Sequence, residues 1–371
     1  MTTDAAVPTP IEAVPAVVKA RLSEVFDTVA PTVAAISPVV TAGVDHLRSF
    51  VLDGGKRVRP TFAWAGWQCA IQSDGPDAPD SALPGAAHLN TSDVVTLGAA
   101  LELVQACALI HDDIIDRSDT RRGRPTVHRV YRAEHLDAGW VGDAEHFGES
   151  AAILIGDLAL AWADDLTAAL PRHIAPIWSA MRTEVLGGQL LDIVNEVSAD
   201  ESVDAALSVM RFKTAAYTVA RPLELGAALG NASPQLISAL AHIGHDLGLA
   251  FQLRDDLLGV FGDPKATGKP SGDDLVAGKR TVLIADGLAR AQAADPAAAQ
   301  ALRSALGVDL TDAALARARE ILREVGAGAA IEGRIADHLR SALSAIENLP
   351  TSAAARADLA AVANAIAYRN A

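Results

Sequence analysis

The run VVTLGAALELVQACALIHDDIID, Val94–Asp116, constrains this chain more than any other. It is apolar almost throughout, patterns as a helix, and ends in three aspartates within five residues, with Arg121 and Arg122 just beyond. In an α-helix residues four apart share a face, so Asp112 and Asp116 project together while Asp113 sits about 100° around the axis. Like charges one turn apart repel, and at a helix C-terminus they also oppose the macrodipole. The short motif is open to two readings: a solvated acidic helix end, or a ledge neutralised by a hard divalent cation. Mg²⁺ suits the second, since it takes one or two carboxylates and completes its shell with water and substrate phosphates.

The chain has 371 residues, 50% of them hydrophobic but only 4% aromatic, and alanine supplies much of the apolar count. That balance predicts helix nearly throughout. A net charge of −15 and a pI near 5.0 argue against a nucleic-acid binder, which would carry the opposite balance or a dense basic face. Cys69 and Cys107 are too few for a disulfide framework and read as buried free thiols. No signal peptide is seen, no run reaches the roughly 18 apolar residues of a spanning helix, and the expected location is cytoplasmic. Residues 1–12 read as a flexible tail, and 13–371 as a single large all-α helical domain, looser after residue 300. Residues 73–93 and 262–281 read as irregular, with Thr91 or Ser92 expected to cap the helix that follows the first of them. There is no repeat period, no GxGxxG after a strand and no Walker-type loop.

A second acidic pair, Asp255 and Asp256 in FQLRDDLLGVFGD, also follows an apolar helical run, with Gly259 where a third acid would stand. Two acidic helix ends facing one cavity would grip a diphosphate through Mg²⁺. Asp164 and Asp165 have no basic neighbour in sequence and read as surface charge. GGKRVRP supplies Lys56, Arg57 and Arg59 after two glycines, which let backbone approach an anion that arginine holds by a fork. With Arg121, Arg122, Lys213, Thr214, Lys269 and Lys279 it reads as a phosphate cage. Gln105, two turns below Asp112 on the same face, is either a satisfied core amide or a ligand contact. His111 and His128 show no metal spacing and read as structural.

With both aspartate clusters, GGKRVRP, FKT and GKRT in this order, the chain resembles the trans-isoprenyl diphosphate synthases over about residues 20–300, most of all the bacterial geranylgeranyl and longer-chain polyprenyl diphosphate synthases. The resemblance implies the isoprenoid synthase fold around a deep central cavity, a homodimer, and three Mg²⁺ ions per active site with substrate bound. It implies a prenyltransferase condensing isopentenyl diphosphate with an allylic diphosphate. By the same likeness Asp112 and Asp116 would bridge two metal ions and Asp255 would hold the third, with Asp113 and Asp256 supporting. Lys56, Arg59, Gln105 and Arg122 would hold isopentenyl diphosphate. Arg121, Lys213, Thr214, Gln252, Lys269 and Lys279 would hold the allylic diphosphate, and Gln189 and Asp192 of GGQLLD would also face the site.

In the resembled family, aromatic residues four and five positions before the first aspartate close the tunnel at farnesyl length. Here those positions are Ala108 and Cys107, so the expected product is geranylgeranyl diphosphate or longer, with Val104 or Leu101 forming the floor. An aromatic from another helix, Phe212 or Tyr217, would instead give a farnesyl diphosphate synthase. A class I terpene cyclase and a non-catalytic synthase subunit are the remaining alternatives, the first disfavoured by GGKRVRP and Gln105, the second by an intact first motif.

Overall fold

The computed structural model describes residues 10–73, 90–262 and 272–368. It is all-α apart from one two-stranded hairpin, and it divides into two compact units within the expected domain.

The first unit, Met1–Ala175 with Leu225–Ser233, contains α1 (Val14–Ile36), α2 (Pro38–Leu52), α3 (Val58–Ile71), α4 (Thr91–Ile115), α5 (Val127–Asp137) and α6 (Ala144–Ala168). Helix starts follow local chemistry. Ser37 accepts from Val39 N and Val40 N with Pro38 as the first residue of α2, and Asp143 caps α6 by accepting from Glu145 N. The cap of α4 is Asn90, whose side chain accepts from Ser92 N, rather than the expected Thr91 or Ser92. Asn90 keeps extended backbone while Thr91 is already helical, which is what a capping amide requires.

Helix α4 is the axis of this unit. From Val94 to Leu103 every residue is buried, and Leu97, Leu101 and Leu103 are 0% exposed. A helix apolar on all sides must be surrounded, and α1, α2, α3, α5 and α6 pack around it. One expectation is corrected here: by length and composition Thr91–Ile115 could cross a membrane, and it is the only such helix among the described residues. Its most apolar window is 78% buried inside the protein, so it serves as a core helix.

The second unit, Pro176–Glu224 with Pro234–Ala371, holds α7 (Ala175–Ser198), α8 (Val203–Val209), a π-helical stretch (Met210–Ala220) leading into α9 (Arg221–Leu229), whose residues 225–229 are counted with the first unit, and α10 (Pro234–Phe261). It continues with α11 (Asp273–Val276), α12 (Val282–Ala294), α13 (Pro296–Arg303), α14 (Asp312–Glu324), α15 (Ala327–Glu347) and α16 (Ala353–Ala367). The core joins Leu253, Leu257 and Val260 of α10 to Leu283, Ile284, Ile321, Leu322 and Ile331. The C-terminal part is not loose: Ile331, Ile335, Leu339, Ala342 and Ile346 form a buried stripe at helical spacing on α15. Arg254 of α10 donates to Ala367 O at 3.0 Å and forks onto Glu332, which holds the end of the chain against α10.

Candidate active site

The C-terminal end of α4 is finished by a Schellman arrangement. Ser118 N donates to Asp113 O (2.9 Å) and Arg117 N to Ile114 O (3.2 Å), with Arg117 at φ +52° where glycine is usual. The next residues form the hairpin, β1 (Thr120–Arg121) against β2 (Arg124–Pro125). Its two loop residues, Arg122 (φ +53°) and Gly123 (φ +73°), are both left-handed, the geometry of a type I′ turn. Two arginines in left-handed conformation so close together cost stability, and such strain collects at functional sites.

The strain aims specific groups. Arg121 forks onto Asp113, with Nε at 2.8 and 2.9 Å and Nη2 at 2.7 Å, and its Nη2 also lies 3.8 Å from Asp112. Asp113 is only 1% exposed, and burial raises its pKa against the opposing pull of Arg121. It therefore faces its arginine, while Asp112 and Asp116 occupy the other face. Asp116 is the C-cap residue of α4. Among the described residues no group of three or more His, Cys, Asp or Glu side chains could hold a metal ion alone.

The hairpin tip meets the GGKRVRP loop. A Cβ on Gly54 would stand 2.6 Å from Arg122 Nη1, so the guanidinium lies directly against this glycine. Arg124 donates to Asp53 at 3.1 Å across the same junction. Burial, followed by repulsion from Arg121, lowers the pKa of Arg122, with Arg57 and Glu102 also within its field. Lys56 is exposed and Arg59 half-buried on either side of the buried Arg57. Gln105 is half-buried on α4. Thus Lys56, Arg59, Gln105, Arg121, Arg122 and the first aspartates all belong to the first unit.

In the second unit the π-helical stretch carries Lys213 and Thr214, and Lys213 Nζ donates to Asp192 at 2.6 Å. A π-helix in a long helical run is uncommon and marks functional segments. Close backbone approach supports it: a Cβ on Gly188 would stand 2.6 Å from Lys213 Cα, and one on Gly248 2.6 Å from Ala215 Cα. On α10, Gln252 donates to Asp256 at 2.8 Å. Asp256 Oδ2 is buried without a hydrogen-bond partner among the described residues. Burial, and then the nearby Asp274, push the pKa of Asp256 well above the carboxylate range. Asp255, half-buried, stands beside it on the same helix, and Gln189 is half-buried on α7. Lys279 is half-buried after α11, its N–H donating to Asp274 O at 3.0 Å. Lys269 lies outside the described residues.

Cys69 and Cys107 are buried and form no disulfide. His111 packs on Gly156 and bonds Ile153 O at 3.1 Å, and His128 is 3% exposed, both structural. Asp165 is exposed and Asp164 half-buried. Reasoning from sequence missed the buried partners Glu102 and Asp274; the first stood in plain view as the one acid inside the apolar run of α4.

A family model described as polyprenyl synthetase matches residues 44–324. The chain is 32% identical over 330 residues to a short chain isoprenyl diphosphate synthase of Methanothermobacter thermautotrophicus, covering 88% of this chain and 89% of that one. It is 34% identical over 263 residues to a geranylgeranyl diphosphate synthase of Mycobacterium tuberculosis, covering 69% of each. Among solved structures, a geranylgeranyl pyrophosphate synthase from Corynebacterium glutamicum, complexed with isoprenyl diphosphate and magnesium, superposes with a TM-score of 0.90 at 49% identity, over 97% of this chain and 100% of that one. Motif order, local geometry and these likenesses agree: the chain belongs to the polyprenyl synthetase family.

Proposed function

We propose that this protein is a trans-prenyltransferase that condenses isopentenyl diphosphate with an allylic diphosphate and releases a product of twenty carbons or more. The observation that carries the reading is the junction at the end of α4. There Asp112 and Asp116 leave the helix beside a strained hairpin whose Arg122 is seated on the glycines of GGKRVRP.

The donor set fits Mg²⁺: two carboxylates one turn apart on α4, and Asp255 beside the orphaned Asp256 Oδ2 on α10. Asp112, Asp116 and Asp255 would hold the ions, three when substrate is bound. Bound Mg²⁺ supplies neutralisation of the charge that grows on a leaving diphosphate. Lys56, Arg59, Gln105 and Arg122 hold isopentenyl diphosphate, and Arg121, Lys213, Thr214, Gln252, Lys269 and Lys279 hold the allylic diphosphate. Their fixed positive charge favours departure of the diphosphate with the electron pair of the allylic C–O bond. The double bond of the neighbouring isopentenyl group then forms the new C–C bond, its position set by the cations on its own diphosphate. Loss of a proton to the departed diphosphate regenerates an allylic product. Water must be excluded during this step, which the apolar residues below Asp112 accomplish.

We further propose a cytoplasmic homodimer. Ile153 and Leu154 of α6 are 45% and 64% exposed in the single chain, surface that a second copy would cover.

The decisive experiment incubates purified protein with labelled isopentenyl diphosphate, Mg²⁺ and dimethylallyl, geranyl or farnesyl diphosphate, then chromatographs the products. Label in an allylic diphosphate of at least twenty carbons, lost on chelation, supports the reading. Hydrocarbon release would indicate a cyclase, and inertness with every primer a non-catalytic subunit.

A further inference from the structure

We propose that Arg57 is a positioning residue, whose buried ion pair with Glu102 fixes the loop that presents Lys56, Arg59 and Arg122 to isopentenyl diphosphate. The inference rests on the reading above, in which those cations hold that diphosphate.

Arg57 alternates in character with its neighbours. Lys56 is exposed and Arg59 half-buried, while Arg57 is 6% exposed and points into the protein. Its Nη1 donates to the Glu102 carboxylate and its Nη2 to Val51 O at the end of α2. Both side chains of the pair are nearly dry, at 6% and 5% exposure. Another tie of this loop, Arg124 to Asp53, is 68% and 49% exposed, and an exposed pair contributes little rigidity. Of the two, the buried pair is the one that can anchor the loop.

The backbone agrees. Arg57 has φ +53° at the N-cap of α3, a conformation an arginine adopts only under constraint. A Cβ on Gly55 would stand 3.2 Å from Arg57 Nη1 and 3.4 Å from Arg122 Nη2, so the loop's glycines leave room for two guanidinium groups at once. One of these turns inward to Glu102, and the other comes from the hairpin tip.

Glu102 also explains the register between metal acids and phosphate cations. It lies eleven residues before Asp113, three turns of α4, and so shares the face of Asp113. Each of these two buried carboxylates takes one arginine, Glu102 from the GGKRVRP loop and Asp113 from the hairpin. A single rigid helix thus spaces the isopentenyl diphosphate cations from Asp112 and Asp116. Lysine at position 57 would keep the charge but could not fork between Glu102 and Val51 O.

The test compares wild type with Arg57→Lys, Glu102→Gln and the apolar double variant Arg57→Met/Glu102→Leu. Removing both members of a buried pair with similar volume generally preserves folding. Two readouts are taken: calorimetric binding of isopentenyl diphosphate without metal, and KM for each substrate during turnover. The inference expects Kd and KM for isopentenyl diphosphate to rise at least about tenfold in all three, with the KM for the allylic partner within about twofold. It is overturned if the double variant, folded with a wild-type melting temperature, binds isopentenyl diphosphate as wild type does. It is also overturned if both KM values move together. Should wild type bind isopentenyl diphosphate yet elongate nothing, the proposed reaction falls, while the binding arm still decides the role of Arg57.

Discussion

Arg121 closes a fork onto Asp113, its Nε and Nη2 standing 2.7 to 2.9 Å from a carboxylate that is 1% exposed. Removing one partner of a buried pair strands the other as an uncompensated charge, at a cost of about 3 kcal/mol. Arg121→Met should therefore lower stability in denaturant unfolding by about that amount. The double variant Arg121→Met/Asp113→Leu should recover most of the loss, because no charge is then left buried. Activity should not return with stability, which separates the hairpin's structural anchor from its use of Arg121 on substrate.

The glycine at the third position of the second aspartate motif has a steric explanation. A Cβ on Gly259 would stand 2.6 Å from the carboxylate carbon of Asp274, so an acid from α11 already fills the space an aspartate there would need. Asp274 also contributes to the raised pKa of Asp256. Restoring the fuller motif with Gly259→Asp should therefore reduce kcat/KM for the allylic primer by about tenfold, through displacement and like-charge repulsion. Gly259→Asp combined with Asp274→Gly should regain most of it. An increase in activity for the single variant would refute this account.

These two sites show what a linear reading captures. Asp112 and Asp116 stand out in the sequence because acids ending an apolar helical run conflict with local stability, and the cations stand out as fixed charges on an acidic background; Asp255, expected at a second helix end, lies instead within α10, which continues to Phe261. Glu102 and Asp274 were missed because their effect depends on partners 45 residues away in one case and on a helix packing against Gly259 in the other. The left-handed Arg57, Arg117 and Arg122 were equally hidden, since sequence preference assigns such positions to glycine or asparagine. The π-helical stretch around Lys213 follows from backbone contact at Gly188 and Gly248, which no hydrophobic period encodes.

Acid should destabilise the protein through two histidines, His128, which is buried, and His245, which is half-buried. Burial, ahead of any neighbouring charge, lowers the pKa of both His128 and His245. The unfolded chain therefore takes up protons as pH falls through about 6.5, while the folded chain does not yet do so. Their contribution is fully present above that pH and is lost as pH drops toward the folded values. His128 Nδ1 is buried without a partner among the described residues, so a proton there would also be unsolvated. His128→Asn should flatten the fall in unfolding free energy between pH 7 and pH 5.5, by no more than about 1.4 kcal/mol per pH unit for one proton. An unchanged slope would assign acid sensitivity elsewhere.

Product length should be set on α4 below Asp112. Ala108 is half-buried one turn down, followed by Cys107 at 4%, Val104 at 3% and Leu101 at 0% exposure, and none of the four is aromatic. The Cys107 thiol is pushed up to about 12 by burial and then by Asp157, and its Sγ lies 3.7 Å from His111 Nδ1, which leaves it a buried, protonated wall group and not a nucleophile. Each helical turn adds about 5.4 Å of depth, so Leu101 lies roughly 16 Å along the axis from Asp112. Ala108→Phe places a ring at the first level and should stop elongation at fifteen carbons, with the rate of the first condensation nearly unchanged. Leu101→Ala removes buried volume about three turns below Asp112 and should lengthen the longest product, at a stability cost of about 3 kcal/mol. Chromatography of the dephosphorylated products reads both effects. If Ala108→Phe leaves the distribution unchanged, the chain end travels along another wall, and Phe212 or Tyr217 becomes the next residue to vary.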